Sequence, residues 1–153
     1  MTSLLKPLPA RDAVLLIARV ALGAIFVAHG WQKFTEWGLD GTGAAFEQMG
    51  VPLPGVAATL AAVIELIGGL ALILGALTTA VSLLLALDMV GAAVLVHVAN
   101  GVFVTDNGWE LVAALGAGAL LLAAAGAGAY SVDRLLTPRA QVRVDEREKA
   151  LVH

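Results

Sequence analysis

The sequence predicts an all-α fold, an antiparallel bundle of four transmembrane helices with both termini in the cytoplasm. Three observations support this prediction. The 153-residue chain is 59% hydrophobic and only 14% charged, whereas soluble domains are about 25% charged. Four apolar runs approach or exceed the roughly 20 residues that a helix needs to cross a bilayer. Basic residues concentrate before the first run and after the last, and such a bias marks the cytoplasmic side of a membrane protein.

The four apolar runs define the predicted helices in order. They cover residues 13–29, 56–77, 78–98 and 111–129. The fourth run carries no charge and therefore has no polar face that a soluble helical bundle would present to water. A signal peptide is the alternative for the first run, but Arg19 interrupts its apolar stretch, and we interpret it as a helix of the mature protein.

These runs predict three parts of the chain: a cytoplasmic N-terminus (1–12), a four-helix membrane domain (13–132) and a polar cytoplasmic tail (133–153). An external loop of about residues 34–54 separates the first two helices. Part of it could form a short interfacial helix or remain an ordered loop, and the sequence leaves both open for Ala44, Ala45, Phe46 and Met49. Aromatic residues at the same face are typical of an interfacial belt; they are Trp31, Phe34, Trp37, Phe103 and Trp109.

Composition excludes several classes of function. The net charge is −3 and no basic stripe is visible, so no nucleic-acid partner is expected. The chain has no cysteine, which excludes thiol–disulfide chemistry and iron–sulfur ligation by its own residues. The lipid bilayer is the partner that the composition does predict.

Three ionisable residues lie inside the apolar runs. At 1.5 Å per residue, Arg19, Glu65 and Asp88 all fall near the middle of a core that is about 30 Å thick. Isolated charges at that depth are costly, and we therefore predict that the three side chains meet in a polar core. Such a cluster could relay protons, or it could only fix the register of the helices. The inward face of the first helix is predicted from helical spacing, and it contains Arg19, Gly23, Phe26, Gly30 and Lys33.

A second polar group is predicted near the outer face. It comprises His29, Lys33, His97, Trp109 and Glu110. Histidines at similar depth could contact a quinone or, as a weaker alternative, bind a metal or haem through His29 and His97. The alternative without a ligand is that both histidines only form hydrogen bonds to carbonyls or water. Asp88 and His97 are nine residues apart, half a turn out of phase on a straight α-helix, so we expect them to serve two different sites.

Five stretches in order carry a resemblance to a known family: RVALGAIFVAHGWQKF, GTGAAFEQMGVPLPG, AAVIELIGGLALILGALT, LVHVANGVF and NGWELVAAL, the last followed by GAGAYSVDRLL. The pattern resembles the DoxX family of small bacterial four-helix membrane proteins, over about residues 11–136. Leu111 follows Glu110 where that family often has an aromatic residue. The resemblance implies a multi-pass protein of the bacterial inner membrane.

The resemblance also implies a function, because members of this family are described as oxidoreductases or subunits of oxidoreductase systems. Namesake relatives belong to thiosulfate:quinone systems, and others associate with oxidative-stress proteins. It thus implies a membrane subunit that is linked to quinone and works with a redox partner protein. The alternatives are a non-enzymatic scaffold, whose docking surface would be residues 34–54, and a transporter of protons or small solutes. The Gly/Ala-rich fourth helix could join subunits in a homo-oligomer through Ala113, Gly116 and Ala117.

Overall fold

The computed structural model describes residues 9–136, and the predicted tail beyond Leu136 lies outside the described part, as do residues 1–8. The described chain forms six α-helices: α1 (Pro9–Thr35), α2 (Gly38–Gln48), α3 (Pro54–Leu74), α4 (Thr78–Ala92), α5 (Glu110–Ala125) and α6 (Val132–Leu136). A π-helical segment, Ala93–His97, and a 3-10 turn, Val98–Asn100, extend α4 without a break.

The all-α membrane bundle is confirmed. Within residues 9–136, three helical stretches are long and apolar enough to cross a membrane, Ala10–Thr35, Pro54–Leu74 and Thr78–Asn100, and α5 is a shorter apolar helix. No strand occurs within residues 9–136. The cytoplasmic position of the termini stays a prediction. The segment 34–54 contains α2, so the helical alternative for Ala44, Ala45 and Phe46 is the correct one, and Met49 follows the end of that helix.

The four long helices form a closed ring. α1 packs along α3, α3 and α4 form a hairpin, α4 packs along α5, and α5 returns to α1. Two ends of this bundle can be distinguished. The terminal end holds the start of α1, the α3–α4 turn and α6, while the loop end holds α2 and the connection between α4 and α5.

Glycines set the register of α1 against α3. A β-carbon at Gly23 would lie 2.6 Å from the carbonyl oxygen of Gly69, and one at Gly30 would lie 2.5 Å from the backbone nitrogen of Leu66. Backbones can approach this closely only where side chains are absent. Gly116 similarly packs within the chain, since its β-carbon would lie 3.2 Å from that of Met89 on α4.

The fourth membrane helix is shorter than predicted. It ends at Ala125 instead of residue 129, because Gly126 and Gly128 adopt φ angles of 78° and 76°, which lie outside the helical region. The chain there folds back over the start of α1. The Asp12 carboxylate accepts a hydrogen bond from the backbone of Ala129 at 2.9 Å.

Asp133 closes the terminal end. Its carboxylate accepts hydrogen bonds from the backbone N–H groups of Leu77 and Thr78 at 2.6 and 2.8 Å. These donors lie at the start of α4, which has no side-chain cap of its own, so Asp133 caps that helix from a distant part of the chain. Partial burial by itself raises the pKa of Asp133, but the hydrogen bonds from Thr78 and Leu77 and the Arg19 charge together lower it.

This cap predicts an acid-dependent loss of stability. The folded pKa of Asp133 lies below the value of about 3.9 for an unfolded aspartate, so the contribution is complete above that pH and disappears as the pH falls through the folded pKa. We expect Asp133→Asn to lower stability by about 1 kcal/mol at neutral pH. Melting temperatures in detergent between pH 3 and 7 should fall more steeply in acid for the wild type than for the variant. Parallel curves would contradict this account.

Candidate functional site

A cavity of about 540 Å³ lies inside the loop end of the bundle. Its walls come from all four long helices, from α2 and from the loop before α5, and they are mostly apolar. Five ionisable residues line it: His29, Lys33, Glu65, Asp88 and His97. Cavities of this size and composition are typical of small-molecule sites.

Lys33 and Glu65 form the ion pair of this site. The ammonium group of Lys33 lies 2.5 Å from Oε2 of Glu65, and their side chains are only 11% and 7% exposed. Lys33 also donates to the backbone oxygen of His29 at 3.5 Å. Burial strengthens the attraction between two charges, since water no longer screens it.

The prediction that Arg19 joins Glu65 and Asp88 in one cluster is wrong, because the cation paired with Glu65 is Lys33. Arg19 is fully buried, but its guanidinium donates to the carbonyl oxygens of Leu72 and Tyr130 near the terminal end. The register of α1 against α3 is the reason. The contact of Gly30 with Leu66 brings Lys33 to Glu65, while Arg19, four turns earlier on α1, reaches the last turn of α3.

Asp88 lines the cavity beside this ion pair. One of its carboxylate oxygens, Oδ2, is buried without a hydrogen-bond partner in the described residues. Lys33 and Glu65 both act electrostatically on Asp88. The site therefore has one lysine for two acids, and a buried polar atom without a partner marks a place where a ligand or water can bind.

His97 lies in the same cavity as Asp88, which corrects the prediction of two separate sites. The residues Ala93–His97 are π-helical, and each residue of a π-helix turns through a smaller angle than in an α-helix because its hydrogen bonds span five residues. The smaller rotation per residue removes part of the half-turn that would otherwise separate the directions of Asp88 and His97. The Nδ1 of His97 donates to the carbonyl of Asn107 at 2.8 Å, which leaves Nε2 as an acceptor when the ring is neutral.

Two residues predicted for the outer site do not line the cavity. Glu110 accepts a hydrogen bond from the backbone of Val104 at 2.7 Å and so closes the loop before α5. Trp109 is 39% exposed. Glu110 therefore stabilises the loop end and Trp109 lies at its surface, whereas His29, Lys33 and His97 line the cavity.

Aromatic rings form part of the cavity wall. Phe26, Trp37 and Phe46 all line it. Phe26 is fully buried and belongs to the inward face that helical spacing predicts. The sequence predicts an interfacial position for Trp37 and an external one for Phe46, because it does not show that α2 folds over the mouth of the bundle.

With this geometry in view, comparison with known proteins identifies the family. The DoxX family model matches residues 14–98, more than half of the chain. The chain belongs to the DoxX family. The matched range contains all five ionisable residues that line the cavity of this chain. No solved structure matches the chain.

Two similar DoxX relatives come from Escherichia coli K12. Inner membrane protein YqjF is 37% identical over 84% of this chain and 95% of its own length. Inner membrane protein YphA is 37% identical over 82% and 91%. These matches and the apolar helices confirm the predicted multi-pass location in the inner membrane. A further relative, "Putative oxidoreductase CatD" of Bacillus subtilis, is 42% identical over 53% of this chain and 58% of CatD.

Metal binding finds no support in the described part of this DoxX chain. Within residues 9–136, no group of three or more His, Asp or Glu side chains could hold a metal ion. His29 and His97 line the same cavity, but each would need further ligands, since metal sites in proteins commonly use three or four.

Proposed function

We propose that this protein is the membrane subunit of a quinone-linked oxidoreductase system and that its cavity binds the quinone ring. The observation that supports this most is the mostly apolar cavity in which His29, Lys33, Glu65, Asp88 and His97 meet. Ionisable residues inside a membrane are expensive to bury and mark functional sites by default. The name of the relative CatD agrees with a redox role.

The residues present fit a quinone ring. The rings of Phe26, Trp37 and Phe46 offer apolar faces against which a planar molecule can stack. Lys33 and His29 supply donors for quinone oxygens, and the partnerless Oδ2 of Asp88 supplies a group that can accept or hold a proton. A bound quinone would supply two-electron redox chemistry with uptake of two protons.

The chain's own residues would bind and orient this ring and hold protons near it. The chain has no cysteine, and no group of its described residues is suited to a metal. We therefore assign the electron carrier to a bound cofactor or to a partner protein. A protein that only anchors or docks a partner would not require ionisable residues around an apolar cavity.

The test is the quinone that copurifies with the full chain. We expect the wild type, purified in mild detergent from quinone-containing membranes, to retain extractable quinone at up to about one molecule per chain. Asp88→Asn should lower the retained amount about tenfold, because a neutral amide accepts the hydrogen bond of a quinol hydroxyl more weakly than a carboxylate does.

Glu36→Gln is the matched control, because Glu36 is an exposed acid outside the cavity, and it should retain quinone like the wild type. Absence of quinone from the wild type, together with failure to bind added quinone, would contradict the proposal. A soluble protein that copurifies in a fixed ratio, without quinone, would favour the scaffold.

A further inference from the structure

Helix packing does not explain Gly91, which lines the cavity from α4. A β-carbon added there would meet no atom within 4 Å, whereas one at Gly68 would lie 3.1 Å from the side chain of Leu85. Gly91 also lacks the positive φ that favours glycine. Glycine is a poorer helix former than alanine, so this residue keeps open a space that neither the backbone nor a neighbouring helix requires.

The space over Gly91 adjoins the outer surface of the bundle. Leu60 on α3 and Leu95 in the π-helical segment line the same cavity, and 55% and 48% of their surface is exposed. Leu60 lies six residues, or about 9 Å, from the start of α3. At that depth the surroundings of a membrane helix are lipid. The cavity wall therefore reaches the lipid-facing surface of both helices.

The contact between α3 and α4 gives way to the cavity along their length. Towards the terminal end the two helices are in direct contact, since a β-carbon at Gly68 would lie 3.1 Å from the side chain of Leu85. Towards the loop end, Ile64 and Asp88 line the cavity between them instead. The π-helical segment begins two residues after Gly91, and π-helical turns often occur at functional sites.

We infer that the cavity opens sideways into the bilayer between α3 and α4, across Gly91, and that a planar ring dissolved in the lipid enters through this opening. The choice of ligand rests on the proposed function, while the opening rests on the geometry of the two helices. A quinone suits such a route, because its ring can enter the cavity while its long apolar tail stays in the bilayer.

The opening can be tested without a ligand, because the chain has no cysteine of its own. A nitroxide label is attached to Gly91→Cys in the full chain in lipid nanodiscs, with Ile67→Cys on the exposed face of α3 as the lipid reference. Collision rates are measured with oxygen, which concentrates in lipid, and with a nickel chelate, which stays in water. We expect oxygen collisions at residue 91 within about twofold of the reference and few nickel collisions. A label that meets mainly nickel, or neither reagent, would overturn the inference.

The entry of the ring is tested by filling the space. Gly91→Leu should lower the affinity for a long-tailed quinone at least about tenfold without lowering the melting temperature. Gly55→Leu is the control, because a β-carbon at Gly55 also meets no atom within 4 Å but lies outside the cavity. Equal quinone binding by the wild type and Gly91→Leu would refute this route and leave the proposed function intact. If the wild type binds no quinone, the proposed function and this ligand both fail, and the label still decides whether the opening exists.

Discussion

Lys33→Met is expected to lower the free energy of unfolding by about 3–5 kcal/mol, because it leaves the Glu65 carboxylate buried without its counter-ion. Glu65 is 5% exposed and Lys33 is 9% exposed, so bulk solvent does not screen the carboxylate that loses its partner. Unfolding in mixed detergent micelles, followed by circular dichroism, measures the change.

The double variant Lys33→Met/Glu65→Leu separates the ion pair from the loss of packing. Removing both charges should restore stability to within about 1 kcal/mol of the wild type, because apolar replacements of buried ion pairs are often neutral or stabilising. If the double variant is as unstable as the sum of the two single variants, the charges are not coupled, and the short distance between Lys33 and Glu65 carries little energy.

This pair illustrates which part of the site a sequence can predict. The types of the residues were sufficient to identify Glu65, Asp88, His29, Lys33 and His97 as candidates, since charged and imidazole groups within apolar runs are conspicuous. The pairing was not predictable from depth alone. Arg19 and Lys33 are 14 residues apart, about 21 Å along α1, and the glycine contacts between α1 and α3 determine which of them lies beside Glu65.

The fold was predictable to a similar degree. Hydrophobic runs and helical spacing were sufficient for the four main helices, and all members of the predicted inward face of α1 are buried. The end of α5 was not predictable, because Gly126 and Gly128 are compatible with a membrane helix as well as with a turn. The π-helical segment also has no clear sequence signal, yet it brings His97 into the cavity with Asp88.

Gly69→Ala is expected to destabilise the bundle by about 3 kcal/mol, at the upper end of the usual effect of overpacking. Its β-carbon would lie 2.6 Å from the carbonyl oxygen of Gly23 and 2.8 Å from the backbone nitrogen of Val27. Both neighbours are backbone atoms, so no side-chain rotation can relieve the clash, and α1 must move away from α3. The same movement would lengthen the contact between Lys33 and Glu65.

Gly91→Ala is the matched control for this variant, since it makes the same change in a membrane helix. Its added methyl group meets no neighbour, and the better helix propensity of alanine should raise stability by up to about 1 kcal/mol. Thermal melting of both variants in one detergent decides the comparison. If Gly69→Ala melts at or above the wild-type temperature, the close approach of α1 and α3 is not what sets the register of the bundle, and the pairing of Lys33 with Glu65 requires another cause.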